Sequence, residues 1–234
     1  MLRKLVRRVI GSPTVDQEER VYTLLRDRGF RPDGIIDVGA YEGHWSATAR
    51  RIFGPVPTLM VDAQEGKRPI LEQRARDADN WHVELALLSG EDGREVSFYE
   101  METGSSMMAE RSDVVRKEKR LTTTTLDRLA SRVEGENLFL KVDVQGAELQ
   151  VLAGADETLK RCGLVQLETA ILNYNEGAPS LREVVAFMED RGFAPVDIAG
   201  QIRIKGMLIQ IDMIFAPKDS PLRPDYFEWE KDKA

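Results

Sequence analysis

Short apolar runs recur along the chain, separated by segments whose apolar residues return every three or four positions. Residues 35–38, 57–61, 81–88, 138–144 and 164–167 are rich in Ile, Leu, Val and Met and read as buried strands. Residues 45–53, 67–78, 126–132, 147–152 and 179–191 carry helical periodicity between them. Upstream, Ser12-Pro13-Thr14 followed by Gln17 is a helix-start signature, with Val21, Leu24 and Leu25 as the apolar stripe and Gly29 as the stop. Residues 94–100 and 121–125 add shorter strands, and 107–120 has mixed character with no assigned state. At the end, 194–198 and 207–215 read as two strands in succession. Strand–helix alternation followed by paired strands predicts an α/β fold. We expect a Rossmann-like, doubly wound, mostly parallel seven-stranded sheet with a terminal antiparallel hairpin. The expected organisation is a helical segment over 1–30, the sheet domain over 31–216 and a polar tail over 217–234 carrying Tyr226, Phe227 and Trp229.

Composition narrows the function classes. The 234 residues carry 42% apolar and 31% charged side chains, ordinary for a globular protein with a sizeable core. A formal charge of −7 argues against dedicated nucleic-acid binding, which uses a basic face. The one cysteine, Cys162, permits neither an internal disulfide nor a zinc framework, and suits a reducing, cytoplasmic setting. No apolar run reaches the 18 residues of a membrane span. Residues 1–10 place Leu2, Leu5, Val6 and Val9 on one helical face beside four basic residues. That could rest peripherally on an anionic membrane, but a short helix docked on its own domain, or simple disorder, is favoured. Oligomeric state has no sequence signal.

The candidate chemistry lies where strands stop. After 35–38 come Gly39, Ala40, Tyr41 and Gly43, then a helix, a layout that presents bare backbone N–H groups to a ligand at a helix start. The spacing is G-x-x-x-G behind Asp37, not the G-x-G-x-x-G of nicotinamide and flavin sites, which makes a nicotinamide oxidoreductase the weaker reading. Ligands of open α/β sheets sit beyond the carboxyl ends of strands, and Asp37, Asp62, Asp143 and Glu168 all occupy such ends. The plain alternatives are a solvated Asp in a tight turn, and Asp143 capping the helix after Gly146. His44 is more readily helix-start packing than a base. His82 reads as structural, Glu148 as a helix-start acid or partner for Lys141, and Asp212 as a buried hydrogen-bonding group.

Four stretches together resemble the FkbM-type family of S-adenosylmethionine-dependent methyltransferases, over about residues 33–216. They are Asp37-Val38-Gly39-Ala40-Tyr41-Glu42-Gly43 against D-V-G-A-N-x-G, Val61-Asp62-Ala63-Gln64 after the second strand, and Ala86-Leu87-Leu88-Ser89 with Gly93. The fourth is Thr125-Leu126-Asp127 with Lys141 to Glu148 and Val151 to Ala155, against K-x-D-V-E-G-x-E-x-x-V-L-x-G-A. Tyr41 stands where Asn is usual and Gln145 where Glu is. The resemblance implies S-adenosylmethionine as cofactor and methylation of a hydroxyl on a sugar, polyketide or other small metabolite. It implies Asp37, Gly39, Ala40, Tyr41 and Gly43 at the cofactor's amino-acid end, Asp62 and Ala63 at its ribose, and Ala86 and Leu87 beside the adenine. Asp143, also counted among the cofactor contacts, and Glu168 remain nearest the transferred methyl. Asp143 is the expected base or acceptor orienter and Glu168 its partner; Ser105 and Ser106 are candidate substrate contacts. Two carboxylates are a thin set for a divalent cation, so no metal is assigned. The alternative is a degenerate relative that binds cofactor or a partner without catalysing transfer.

Overall fold

In a computed structural model, residues 14–101, 104–109, 116–172 and 175–223 are described. Residues 1–10, Ser12 and Pro13, and the aromatic tail residues Tyr226, Phe227 and Trp229 lie outside them, as do parts of the unassigned 107–120 segment. The helices are α1 (Thr14–Asp27), α2 (His44–Phe53), α3 (Arg68–Arg76), α4 (Leu126–Ala130), α5 (Glu148–Leu152), α6 (Asp156–Lys160) and α7 (Leu181–Asp190). The strands are β1 (Gly34–Val38), β2 (Thr58–Asp62), β3 (Trp81–Leu85), β4 (Leu87–Leu88), β5 (Glu95–Glu100) and β6 (Lys117–Thr124). They continue with β7 (Leu138–Val142), β8 (Cys162–Ala170), β9 (Phe193–Ile204) and β10 (Met207–Pro217).

Seven strands form one sheet in the order β3-β2-β1-β7-β8-β10-β9. The first five run parallel. β10 inserts antiparallel between β8 and β9. The chain thus reverses direction of growth between β1 and β7, the switch point at which such sheets bind ligands. Every residue of β1, β2 and β7 is buried, which accounts for their unbroken apolar runs.

Alternation divides the core between the two faces. Ile36, Val38, Leu138, Leu140, Val142, Val165 and Leu167 point to the face covered by α4, α5, α6 and α7. Ile35, Phe139, Leu164 and Ile214 point to the face covered by α1 and α2. There Phe139 is the hub of an aromatic cluster, 5.4 Å from Tyr22, 5.2 Å from Trp45 and 5.7 Å from Phe53 between ring centroids. These near-perpendicular contacts match the ring quadrupoles.

Several expected boundaries shift. The run 81–88 is two strands, because Ala86 bonds back to Asp62 (2.9 Å) and Leu87–Leu88 leaves the main sheet for a second one, ordered β4-β6-β5. The strand expected at 121–125 begins at Lys117, its charged outer positions having masked the alternation. The strand 138–144 stops at Val142, and the terminal hairpin extends well past the predicted 194–198 and 207–215. Among the described residues no helix is long and apolar enough to cross a membrane.

Phe139→Ala would leave a void bounded by four aromatic rings. Unfolding by denaturant should show a loss of about 3–5 kcal/mol; a loss below 1 kcal/mol would remove Phe139 as the organising side chain of this face.

Candidate active site

Two turns converge at the strand tips. After β1, Gly39 (φ 79°), Tyr41 (φ 53°) and Gly43 (φ 67°) adopt left-handed backbone conformations. A Cβ on Gly39 would stand 1.9 Å from the carbonyl oxygen of Asp143, so only glycine lets the first turn lie against the second. The amide of Asp143 donates to the Val38 carbonyl (3.0 Å), closing the pair. Arg74 of α3 holds the first turn from outside, donating to the Glu42 carbonyl and standing 2.8 Å from His44 Nδ1. His44 is itself exposed and lies beside Glu42. His82 is exposed on β3.

Asp62 ends β2, and its carboxylate accepts from the backbone N–H of Tyr41 (2.7 Å) and of Gln64 (2.8 Å). It therefore ties the glycine turn to the next strand, while each oxygen keeps a further lone pair. Burial pushes its carboxyl above the ordinary value, against those two amides. The Tyr41 ring lies under the Lys67 ammonium at 3.7 Å, a cation–π contact.

Asp37 is fully buried and faces α2, where Ser46 Oγ donates to its Oδ2 (2.7 Å). Its Oδ1 has no hydrogen-bond donor; the Lys141 ammonium stands 3.8 Å away. Register explains the proximity, since Asp37 pairs with Lys141 across β1 and β7, and Lys141 with Gln166 across β7 and β8. Lys141 donates to Asp143 Oδ2 at 3.0 Å. Burial alone would lower the Lys141 pKa, but the charges of Asp143 and Asp37 outweigh it and hold the ammonium above its ordinary value.

The second turn carries the densest chemistry. Gln145 (φ 55°) and Gly146 (φ 99°) are left-handed, and Gln145 Nε2 reaches Asp143 Oδ1 (3.0 Å) and both oxygens of Glu168 (2.8 Å each). Burial would raise Asp143, but the Lys141 charge and hydrogen bonds from Glu168, Lys141 and Gln145 hold its carboxyl well below the usual range. Burial, and then the Asp143 charge, push Glu168 well above. The two therefore titrate as a pair, with Asp143 the more acidic member.

Glu148 is not a partner of Lys141. Its Oε1 accepts from the amides of Val144 (3.2 Å) and Gly146 (3.0 Å), clamping the turn from α5, and burial raises its pKa to about 7. Ser106 is buried, and its Oγ donates toward the carbonyls of Val144 (3.2 Å) and Gln145 (2.9 Å). Ser105 Oγ accepts from the Met101 amide (2.7 Å). Asn175 Nδ2 donates to the Gln145 carbonyl (2.6 Å). Glu148, Glu168, Thr169 and Asn175 border a small cavity of about 10 Å³, room for about one water molecule. Asp212 pairs across the sheet with Glu168, into room left by the missing side chain of Gly200.

The predicted residues thus divide. Asp37, Gly39, Tyr41, Gly43, Asp62, Asp143 and Glu168 are drawn together at the strand tips. Ala40 is buried behind the loop, Leu87 is buried in the second sheet, and Ala63 and Ala86 are partly exposed beside Asp62. The clamps by Glu148, Gln145 and Asn175 were not foreseen. Gly146 shortly after the strand was the one available signal for a tight turn there, which the left-handed Gln145 and Gly146 form. Among the described residues no group of three or more His, Cys, Asp or Glu side chains has metal-holding geometry.

The model of the methyltransferase FkbM domain matches residues 37–195. The chain belongs to that family. This FkbM-type protein is an S-adenosylmethionine-dependent methyltransferase. Its fold is similar to that of a candidate sarcosine dimethylglycine methyltransferase from Galdieria sulphuraria, 11% identical, with a TM-score of 0.51 over 86% of this chain and 85% of that one. It also aligns with magnesium protoporphyrin IX methyltransferase from Synechocystis PCC 6803 with bound S-adenosylmethionine (11% identity, TM-score 0.49, 90% of this chain and 88% of that one). A third alignment is with 1,6-didemethyltoxoflavin-N1-methyltransferase from Burkholderia thailandensis (13%, 0.48, 86% and 79%). No curated protein matches the chain.

The residues at the strand tips fit this cofactor. Asp37 and Asp143 flank Lys141, with one Asp37 oxygen lacking a donor among the described residues, and Asp62 and Glu168 stand on the neighbouring strands. Such an acidic setting suits a cationic sulfonium.

The pH dependence of stability has a definite sign. Glu148 has a folded pKa above its unfolded value of 4.5, so it stabilises most below that pH and the contribution is lost as pH rises through about 7. Glu168 acts in the same direction. Thermal melts from pH 5 to 8 should show falling stability, and Glu148→Gln should flatten that slope; an unchanged slope would mean Glu148 is already ionised in the folded protein.

Proposed function

We propose that this protein transfers a methyl group to a hydroxyl of a small acceptor, a sugar, polyketide or similar metabolite. S-adenosylmethionine supplies the electrophilic methyl on its sulfonium sulfur. The main-chain turn at Gly39, Ala40, Tyr41 and Gly43 would hold the amino-acid end and Asp62 with Ala63 the ribose, while Ala86 and Leu87 flank the base. The observation that carries the reading is the turn bearing Asp143, bridged to Glu168 through Gln145, stacked directly on the glycine turn. Asp143 accepts a hydrogen bond from the acceptor hydroxyl and orients it, and takes the proton late, once the oxygen has bonded to the methyl carbon and become strongly acidic and the carbon–sulfur bond has broken. Glu168, linked to Asp143 through Gln145, helps to orient the acceptor. Most of the acceleration then comes from alignment, which supplies about 7–11 kcal/mol in favourable cases.

The net charge of −7 supports a small-molecule or glycan acceptor over a nucleic acid. The single buried thiol, Cys162, raised by burial to about 12, is inert and supports a cytoplasmic setting. Ser105 and Ser106 would act on the acceptor indirectly, by fixing the loop over the second turn.

Asp143→Asn should lower turnover by about 10²–10⁴-fold while changing S-adenosylmethionine affinity far less. Asp62→Ala should weaken cofactor binding in calorimetry. Release of S-adenosylhomocysteine over a panel of hydroxyl-bearing acceptors reads the first. Equal losses of affinity and turnover in Asp143→Asn would make Asp143 a binding or folding residue. Cofactor binding without turnover on any acceptor would favour the degenerate, non-catalytic relative.

A further inference from the structure

Tyr41 stands in the left-handed region with φ 53°, a conformation that a bulky aromatic residue rarely adopts. Such a backbone persists only where its surroundings hold it. Tyr41 occupies the middle of the Gly39–Gly43 turn, whose main chain is the face offered to the cofactor, so whatever holds Tyr41 also holds that face.

Two of its supports come from the tip of β2. Asp62 accepts the Tyr41 N–H (2.7 Å). Five residues on, the Lys67 ammonium lies 3.7 Å from the centroid of the Tyr41 ring and 3.3 Å from Oε1 of Glu42, the next residue of the turn. From the other side, Arg74 donates to the Glu42 carbonyl. Asp62 and Arg74 thus grip main-chain atoms of the turn, and Lys67 grips the side chains of Tyr41 and Glu42. Lys67 ends a single 3₁₀ turn, Glu65–Lys67, with its amide donating to the Gln64 carbonyl (2.9 Å). Around it Glu65, Gly66, Arg68 and Pro69 are exposed, whereas the Lys67 side chain is only 15% exposed. A lysine beside solvent ordinarily extends its ammonium into water. This one turns inward onto a ring and a carboxylate, and a cation over a ring gains strength as water is removed.

From this geometry we infer that Lys67 is a positioning residue for the cofactor: by gripping Tyr41 and Glu42 it keeps the Gly39–Gly43 turn in its left-handed form, with the turn's amides aligned on the cofactor's amino-acid end. The inference rests on the placement of that end on this turn. Its effect falls on affinity, because a ligand that fits one form of a turn binds more weakly in proportion as that form is depopulated.

The test is calorimetric binding of S-adenosylhomocysteine to the full chain and its variants. Lys67→Met, which keeps an unbranched apolar stem and removes the charge, should weaken binding by about tenfold. Lys67→Arg should stay within about threefold of the unaltered protein, since a guanidinium also stacks on a ring. Tyr41→Asn places a residue that enters left-handed backbone readily, so the turn no longer needs the grip. In that background, adding Lys67→Met should change the affinity by less than about twofold. Equal losses from Lys67→Met in both backgrounds would make Lys67 a direct cofactor contact and overturn the positioning role, as would an unchanged affinity in Lys67→Met alone. Loss of binding in Tyr41→Asn would make the ring itself a cofactor contact, and overturns the role too. Failure of the unaltered protein to bind S-adenosylhomocysteine is a separate result, and removes the placement of the cofactor on this turn together with the role of Lys67.

Discussion

The buried ammonium of Lys141 sets the electrostatics of the whole face. It sits between Asp37 and Asp143 in a row that the strand register makes unavoidable. A lysine in an apolar interior would shed its proton; here two carboxylates outweigh burial, and the charge stays. That choice propagates. With Asp143 held ionised, its charge adds to burial in pushing the Glu168 carboxyl at the neighbouring tip well above the ordinary range.

The two turns depend on each other for a steric reason. Gly39 touches the Asp143 carbonyl so closely that any side chain would part them. The second turn is pinned by Glu148 from α5, Ser106 from the loop after β5, and Asn175 from the segment after β8. Three separate pieces of chain therefore fix one left-handed dipeptide, Gln145-Gly146. An amide at 145, where the family's usual residue is a carboxylate, makes this arrangement possible. It donates to both neighbouring acids, whereas a third carboxylate could only repel them.

What the sequence made legible follows from locality. The central strands were plain because full burial demands nearly uninterrupted apolar runs; Asp62, Asp143 and Glu168 were plain because each follows one, and Asp37 because it interrupts one. The second sheet was not, since β6 exposes Lys117, Glu118 and Arg120 and so lacks the expected alternation. Glu148 starts its helix as one of its two readings had it, but its reach back to the amides of Val144 and Gly146 depends on a left-handed turn, which no periodicity reports. Ser106 and Asn175 act on carbonyls 30 or more residues away, a distance at which sequence neighbours say nothing.

The segment before the matched family domain is part of the same electrostatic unit. Glu18 and Tyr22 of α1 precede residue 37, yet Tyr22 hydrogen-bonds Gln166 and Trp45, and Glu18 accepts from Gln166 Nε2 (3.2 Å). Gln166 is the next member of the Asp37–Lys141 row. Burial raises Glu18, and the Lys141 charge pulls the other way. Helix α1 therefore does more than cover apolar surface. By closing the polar row with side chains that satisfy Gln166, it excludes water from the flank of Lys141. In a drier interior the Lys141–Asp143 attraction is stronger than it would be beside solvent. Helix α1 is thus joined to the buried charges of the family domain through Gln166 and Lys141, so the domain and the chain's own first helix are not separable.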